Sequence, residues 1–295
     1  MTGEGDPTAD PPAVTASAAC AACGEPLIGA YCHACGERRP HPDHESLAHF
    51  LREQFAEVTS ADGRLWRTLR ALFVPGELTA EYFAGRRGLY VRPVRIFLVL
   101  NVLFFLWVGV FGGQGFVGDA AIYRSNWRFA ERMSEATSAA GVPDDVYDAA
   151  FSARARTLAP TLIAVLIPAF TVVFALVLSP ARRPIARHAV FATHYVAVLM
   201  ASTVIVSVLL ALPILAGRAL TGDVLYNLDD SVLLPVSLTL WCAYLVVGIR
   251  RVYGVPWWGA VVAGLATATL GSLLAMEAYR TVLFFVSLWT VDVPA

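Results

Sequence analysis

Five long apolar stretches constrain this chain more than any other feature of its sequence. About 20 apolar residues in a helix cross the hydrocarbon core of a bilayer, about 30 Å thick, and only a helix satisfies its own backbone polar groups there. The hydrophobic share of 57% and the charged share of 15% also lie outside the soluble range. The sequence therefore predicts an all-α integral membrane protein with about five transmembrane helices within residues 94–295. The predicted spans are residues 94–111, 157–178, 189–215, 231–249 and 255–276.

The end of the fifth span admits two arrangements, because Glu277 and Arg280 interrupt the apolar run. In the first, the helix ends near Glu277 and residues 281–291 lie at the outer interface. In the second, one long tilted helix carries both charges inside the bilayer. A charge at the bilayer centre costs at least about 2.5–3.5 kcal/mol, which favours the first arrangement.

The distribution of arginine predicts the direction in which the spans run. Positively charged flanks remain in the cytoplasm, and arginines cluster before the first span, between the second and third, and between the fourth and fifth. The N-terminus is therefore expected in the cytoplasm, and the longer loop 112–156 outside. These arginines are Arg86, Arg87, Arg92, Arg95, Arg182, Arg183, Arg187, Arg250 and Arg251.

Four cysteines near the N-terminus form two C-x-x-C-G-E units that repeat at a period of 12 residues. Four thiolates complete the closed tetrahedral shell of a structural zinc site, which leaves no position for a catalytic water. The glycine after each second cysteine allows a positive-φ turn. So short a segment has almost no core, and zinc is expected to supply most of its folding energy. The predicted zinc ribbon spans residues 20–36, with Cys20, Cys23, Cys32 and Cys35 as ligands.

The segments around the zinc ribbon differ sharply in composition. Residues 1–19 contain too few apolar side chains to order themselves and are expected to form a disordered tail. Residues 37–93 predict amphipathic juxtamembrane helices. In one of them Leu65, Trp66, Leu69, Leu72 and Phe73 share a side, and Arg64, Arg67 and Arg70 lie on the other.

The segment from Arg64 to Arg95 contains seven arginines and only two acidic residues. A basic, aromatic-rich segment beside a span suits the anionic headgroups of the cytoplasmic leaflet. It either anchors the chain and fixes its topology, or it forms a site for a lipid headgroup or a partner. The candidate residues of such a surface are Trp66, Arg67, Arg70, Tyr82, Arg86, Arg87 and Tyr90.

The order of motifs over residues 20–111 carries a family resemblance. After the cysteine units come Leu65-Trp66-Arg67-Thr68-Leu69-Arg70-Ala71-Leu72, Pro75-Gly76, Glu81-Tyr82-Phe83-Ala84-Gly85-Arg86-Arg87 and Tyr90-Val91-Arg92-Pro93. This order resembles the bacterial membrane-protein family called domain of unknown function 3667. The resemblance implies a zinc-ribbon protein of the bacterial inner membrane and no established activity.

Few residues are candidates for chemistry. The acids of residues 144–148 are expected to cap a helix N-terminus, and His188 and His194 to have structural partners near the interface. No metalloprotease, serine-hydrolase or P-loop motif is present. A membrane-embedded enzyme would need at least two of His194, Glu277 and Arg280 to meet in one pocket, and a transporter or channel would need polar residues that converge at mid-membrane.

The function expected from these features is non-enzymatic. Specific motifs concentrate in the zinc ribbon and the juxtamembrane segment, which favours recruitment of a cytosolic protein partner or sensing of the membrane surface. The zinc ribbon lacks a basic stripe, which disfavours nucleic acid as a partner. Ala260, Gly264, Ala268 and Ser272 form a ridge of small residues that predicts close helix packing, either within the bundle or in a homo-oligomer.

Overall fold

The computed structural model describes residues 19–37, 63–111, 118–221 and 230–292, and helices dominate these ranges. Five of the helical segments are long and apolar enough to cross a membrane, which confirms the expected all-α class. The helices are α1 (Arg64–Phe73), α2 (Glu77–Phe83), α3 (Pro93–Phe111), α4 (Ala120–Arg124), α5 (Trp127–Ala140), α6 (Asp144–Leu162), α7 (Leu166–Val177), α8 (Ile185–Thr221), α9 (Asp230–Tyr253), α10 (Trp257–Ala266) and α11 (Ser272–Thr290). The predicted tail, most of the segment between the predicted zinc ribbon and α1, and part of the predicted outer loop fall outside the described residues.

The second span is a broken helix that begins well before its apolar part. Helix α6 starts at Asp144, with Asp144 and Asp145 in its first turn, where acids complement the helix dipole, but its N-cap is Pro143 and no side-chain hydrogen bond caps it. Pro160 lies inside α6, and a 3₁₀ turn at Ile163–Val165 separates α6 from α7. The side-chain amide of Asn101 on α3 donates to the carbonyl of Pro160 at 2.8 Å, so the first two spans are joined at this break.

The fifth span continues without a stop through the charged pair. Helix α10 passes through a π-helical turn at Thr267–Gly271 into α11, which ends only at Thr290. The expectation that the helix ends near Glu277 is therefore wrong. The physical reason is tertiary: Phe284 is fully buried, and its ring packs against Tyr123, Phe129 and Phe151 of α4, α5 and α6.

Glu277 pairs with a residue of the loop that was expected outside the membrane, and Arg280 pairs with Glu277. The carboxylate of Glu277 lies 2.6 Å from the guanidinium of Arg128 on α5 and 3.9 Å from that of Arg280. Both acid and base thus meet opposite charges at the same end of the bundle. The predicted outer loop is therefore largely helical, and α4, α5 and the first half of α6 form a cap over the end of α11.

The ridge of small residues on the fifth span packs within the chain. A Cβ atom added to Gly264 would lie 2.6 Å from the side chain of Val246 on α9, so the two helices approach as closely as their backbones allow. Ala260 is fully buried in the same contact zone. Of the two arrangements left open by the sequence, the structure shows the helix–helix contact inside the bundle.

Candidate functional site

The four cysteines near the N-terminus converge on one point. Their Sγ atoms all lie within 4.8 Å of one another. Cys20 and Cys35 are 3.7 Å apart, and Cys23 and Cys32 are 3.6 Å apart. A tetrahedral ion with metal–sulfur bonds of about 2.3 Å separates its ligand sulfurs by about 3.8 Å. The cluster therefore has the dimensions of a four-thiolate metal site.

The two halves of this cysteine cluster share one backbone pattern. The amide of Cys20 donates to the carbonyl of Glu25 at 2.8 Å, and that of Cys32 donates to the carbonyl of Glu37 at 2.7 Å. Gly24 and Gly36 close the two turns at φ +81° and +73°, a region that L side chains rarely adopt. The C-x-x-C-G-E repeat thus produces the same turn twice, and each turn supplies two ligands.

Backbone groups of the second turn favour the ionised form of one cysteine. A hydrogen bond from the backbone of Cys35 is the main cause that lowers the pKa of Cys32 to about 6. Burial opposes this shift, and a hydrogen bond from the backbone of Ala34 adds to it. A backbone hydrogen bond from Glu37 lowers the pKa of Cys35, but burial and the neighbouring thiols outweigh it and raise that pKa to about 12. Close thiols resist simultaneous ionisation, and a bound cation removes that repulsion.

Glu37, at the end of the second turn, connects the cysteine cluster to the segment before the first span. It is only 6% exposed, and its carboxylate accepts a hydrogen bond from the backbone amide of Gly88 at 2.6 Å. A Cβ atom at position 88 would lie 2.6 Å from the same carboxylate oxygen. The approach therefore requires a glycine, and it joins residues that are 51 positions apart.

Residues 63–92, which we call the collar, comprise α1, α2 and the 3₁₀ turn Arg87–Leu89. The hydroxyl of Thr68 on α1 accepts a hydrogen bond from the amide of Val91 at 2.8 Å. The guanidinium of Arg67 donates to the carbonyl of Leu89 at 3.2 Å. These contacts fold the two ends of the collar together directly before α3.

The collar is inserted against the ends of the third and fourth spans. At the turn between α1 and α2, Gly76 has φ +72°, and a Cβ atom there would lie 2.8 Å from the backbone of Gly248 on α9. The hydroxyl of Tyr244 donates to the carbonyl of Leu72 at 3.1 Å, and Arg251 donates to the carbonyl of Pro75 at 2.9 Å. The backbone of the turn between α1 and α2 therefore contacts the backbone of α9, and the two hydrogen bonds lie beside this contact.

Helix α2 makes matching contacts with the third span. The hydroxyl of Thr79 and the Nδ1 atom of His194 on α8 are 2.8 Å apart, in a fully buried position. The guanidinium of Arg187 lies 4.6 Å from the ring centroid of Phe83. His188 has a different partner, the hydroxyl of Tyr253 at 2.9 Å. Both histidines thus have the structural partners that were expected of them.

The structure does not bring the predicted lipid or partner residues together on one surface. Tyr82 is a core residue, 7% exposed, and packs against α8, so its assignment to an exposed surface is wrong. Arg87 lies over the Tyr82 ring at 4.6 Å and donates to its carbonyl. Trp66 and Arg70 are exposed on α1, whereas Tyr90 is half-buried. Only the α1 part of the predicted surface faces outward.

Arg86 is engaged in a bidentate ion pair with Glu81 inside the collar. Hydrogen bonds from Arg86 are the main cause of the lowered pKa of Glu81, with burial opposing them. Arg86 consequently stabilises the fold of the collar, and its charge is already balanced by a neighbour.

Helix α1 packs with a face that the sequence did not indicate. Its buried residues are Thr68, Ala71 and Leu72, whereas Leu65 and Trp66 are exposed. Small side chains let α1 lie close to the span ends, and the larger apolar residues point away from the bundle. The predicted apolar side of α1 is therefore mostly not its buried side.

The centre of the bundle is apolar where all five spans meet. A cavity of about 50 Å³ is lined there by Phe104, Phe170, Met200, Trp241 and Met276, one from each span. It is not the polar convergence that a transporter or channel needs. Of the three residues that a membrane-embedded enzyme would use, Glu277 and Arg280 pair with each other at 3.9 Å near α5, whereas His194 contacts the collar.

Sequence reasoning missed the residues that join these parts, namely Glu37, Gly76, Gly88 and Gly248. The only signal for Glu37 was its place in the C-G-E repeat, which it shares with the exposed Glu25. Nothing in a single sequence pairs Gly76 with Gly248. The contacts of Gly76 with Gly248 and of Gly88 with Glu37 are close approaches between segments that are distant in sequence. The presence of a glycine does not identify the residue that it will contact.

A family model matches part of the chain, and the bounds of the match coincide with the collar and the start of the first span. Residues 62–105 match a family model described as a protein of unknown function (DUF3667). No curated protein and no solved structure matches the chain. The cysteine cluster lies outside the matched residues. The resemblance drawn from the motif order is confirmed over this segment, where the chain is similar to the family of unknown function DUF3667.

Proposed function

We propose that this chain is a non-enzymatic, multi-pass protein of the bacterial inner membrane that recruits a cytosolic protein partner through a structural zinc site. The observation that carries the proposal is the hydrogen bond between Glu37 and Gly88, because it attaches the metal-binding segment to the collar. The collar is in turn held against the spans by Gly76 and its neighbours. A partner bound at the cysteine cluster would therefore have a defined position relative to the bundle.

The cysteine cluster presents an apolar tip between its two turns. Cys20, Leu27 and Cys32 form a small buried cluster, whereas Ile28 is 89% exposed and Tyr31 is 61% exposed. A metal that draws the two turns together fixes the segment between them. Exposed apolar and aromatic side chains on a rigid support are typical anchors of protein–protein interfaces.

Zinc is the metal that best suits these four ligands. Thiolates select soft or borderline ions, and zinc adopts the tetrahedral four-sulfur geometry with no open position. When bound it would supply folding energy to residues 20–36, which otherwise bury very little apolar surface. The role of the metal in the proposal is to order the tip that carries Ile28 and Tyr31.

The proposed orientation rests on the arginines near the collar. Arg187 contacts Phe83, and Arg251 contacts Pro75, so the basic loops of the third and fourth spans lie at the collar's end of the bundle. Positive charge retained in the cytoplasm then puts the cysteine cluster in a reducing compartment. Thiolates persist as metal ligands there.

Site-specific photocrosslinking in membranes tests the proposal. A photoreactive residue at position 28 should capture a discrete protein, and the same residue at the exposed position Trp127, on α5, should not capture it. The crosslink should disappear in the Cys32→Ser/Cys35→Ser variant. A position-28 product that persists without the cysteines would reject the role of the metal site, and the absence of any position-28 product would reject recruitment through this tip.

A further inference from the structure

Helix α1 has three distinct faces. Thr68, Ala71 and Leu72 are buried against the rest of the chain. Leu65, Trp66 and Phe73, at positions i, i+1 and i+8, are exposed on a second face. Arg67 and Arg70 occupy the sector between them, on the side away from Leu72. A helix with separate packing, apolar and basic faces can contact protein, hydrocarbon and anionic groups at the same time.

The second face of α1 exposes three large apolar side chains. Trp66 alone is 75% exposed, and within the described ranges no other element covers it. Scattered apolar residues on a surface need no explanation, but an indole beside a leucine and a phenylalanine on one helical face indicates a contact.

The position of α1 favours a bilayer as the occupant of this face. Its last turn is tied to the fourth span by the Tyr244–Leu72 hydrogen bond. The fifth span begins at the same end with Trp257 and Trp258, both exposed. Tryptophan is enriched at the level of lipid headgroups. Helix α1 and these two tryptophans thus lie at the same end of the bundle.

Charge complementarity specifies the kind of lipid. Arg64 and Arg70 are exposed on α1, and neither its first nor its last turn contains an acidic residue. Basic residues beside a membrane surface are attracted by anionic headgroups. We propose that α1 lies in the plane of the membrane interface, with Leu65, Trp66 and Phe73 in the acyl-chain boundary and Arg70 at the phosphates of anionic lipids. This contact goes beyond the recruitment of a protein.

Fluorescence quenching of the full-length protein tests the apolar contact. The protein is placed in nanodiscs made from equal parts of phosphatidylcholine and phosphatidylglycerol with brominated acyl chains. Replacing Trp66 by Phe removes one of seven tryptophans and should remove emission that the brominated chains quench. If it removes emission that acrylamide quenches, or emission that neither agent quenches, the face is covered by water or by protein, and the proposal is wrong.

Native mass spectrometry with phosphatidylglycerol tests the headgroup preference. Arg70→Gln should weaken phosphatidylglycerol binding about fivefold, as expected for one basic residue at an anionic surface. Arg132→Gln, at an exposed position on α5 at the other end of the bundle, removes the same charge and should leave the binding unchanged. Equal losses in both variants would show a general charge effect and overturn the assignment to α1.

Discussion

The carboxylate of Glu37 accepts a hydrogen bond from the backbone amide of Gly88 at 2.6 Å, which joins the cysteine cluster to the collar. This contact explains how a segment with almost no core of its own acquires a fixed position. The carboxylate is buried, so its partner has to be supplied by the chain.

Gly88→Ala should detach the cysteine cluster from the collar without unfolding the bundle. The added Cβ would lie 2.6 Å from the Glu37 oxygen, and the flexible acid would turn away and lose its hydrogen bond. A hydrogen bond to a charged group contributes about 1.5–3 kcal/mol. Hydrogen exchange should show faster exchange in residues 19–37. Gly63→Ala, which meets open space, is the control, and equal exchange in both variants would contradict the prediction.

Removal of the metal should disorder the cysteine cluster and leave the spans helical. A metal ion held by the four cysteines would supply most of the folding energy of residues 20–36. The spans are instead held together by the packing of their own side chains. Metal analysis of the full chain in reducing buffer should give about one zinc ion per chain, and a value below about half would exclude the site. Far-ultraviolet circular dichroism before and after chelation should differ little.

The Glu81–Arg86 pair should make the collar sensitive to acid. The pKa of Glu81 is lowered mainly by hydrogen bonds from Arg86, so the folded state favours the carboxylate. The resulting stability is present above the ordinary glutamate pKa and is lost as the pH falls through the lowered value. Arg86→Gln should reduce stability at neutral pH and remove this acid-dependent loss. The apparent melting temperatures of the wild type and of Arg86→Gln in detergent at several pH values would measure this difference. The same pH dependence in both proteins would contradict the prediction.

Gly76→Ala should destabilise the chain more than a comparable glycine replacement elsewhere. Gly76 and Gly141 both have left-handed backbone conformations, which cost a side chain about 1–2 kcal/mol. Of these two glycines, only Gly76 faces another backbone, because Gly248 would lie 2.8 Å from the added Cβ. Overpacking at such a position costs a further amount of about 1–3 kcal/mol. The apparent melting temperature should therefore fall further for Gly76→Ala than for Gly141→Ala. Equal decreases would reject the close approach.

Phe284→Ala should separate the end of the fifth span from the cap. Phe284 is fully buried among Tyr123, Phe129 and Phe151, and such a truncation costs about 3–5 kcal/mol. Arg128→Ala breaks a partly exposed ion pair, worth about 0.2–1 kcal/mol, and a contact of the guanidinium with the Phe129 ring at 5.5 Å. Protease sensitivity of α5 and α11 should rise strongly in the first variant and little in the second. The reverse order would contradict the packing described for α11.

The spans, the cysteine cluster and the family segment could be predicted because each depends on local composition or spacing. An apolar run of about 20 residues has few alternatives to a helix in lipid, and a C-x-x-C pair defines its own turn. These signals do not require knowledge of distant residues. The continuation of α11 to Thr290 could not be predicted in this way, because Phe284 gains its stability from α4, α5 and α6.

Which faces of the collar helices are buried could also not be predicted from the sequence. Leu65 and Leu72 are equally apolar, yet one is exposed and the other is fully buried. In a membrane protein an apolar side chain gains as much from lipid as from a core, so hydrophobicity does not say which environment it enters. The burial of Thr68 and Tyr82 follows from hydrogen bonds and close packing that appear only in three dimensions.

The meeting of Gly76 with Gly248 has a mechanical consequence. No side chain lies between the two backbones to absorb a displacement, so sliding of α9 along its axis would carry the turn between α1 and α2 with it. Because Gly88 holds Glu37, the same displacement would reach the cysteines. A shift of α9 and a shift of the cysteine cluster should therefore be coupled, so that a probe on either one would report both.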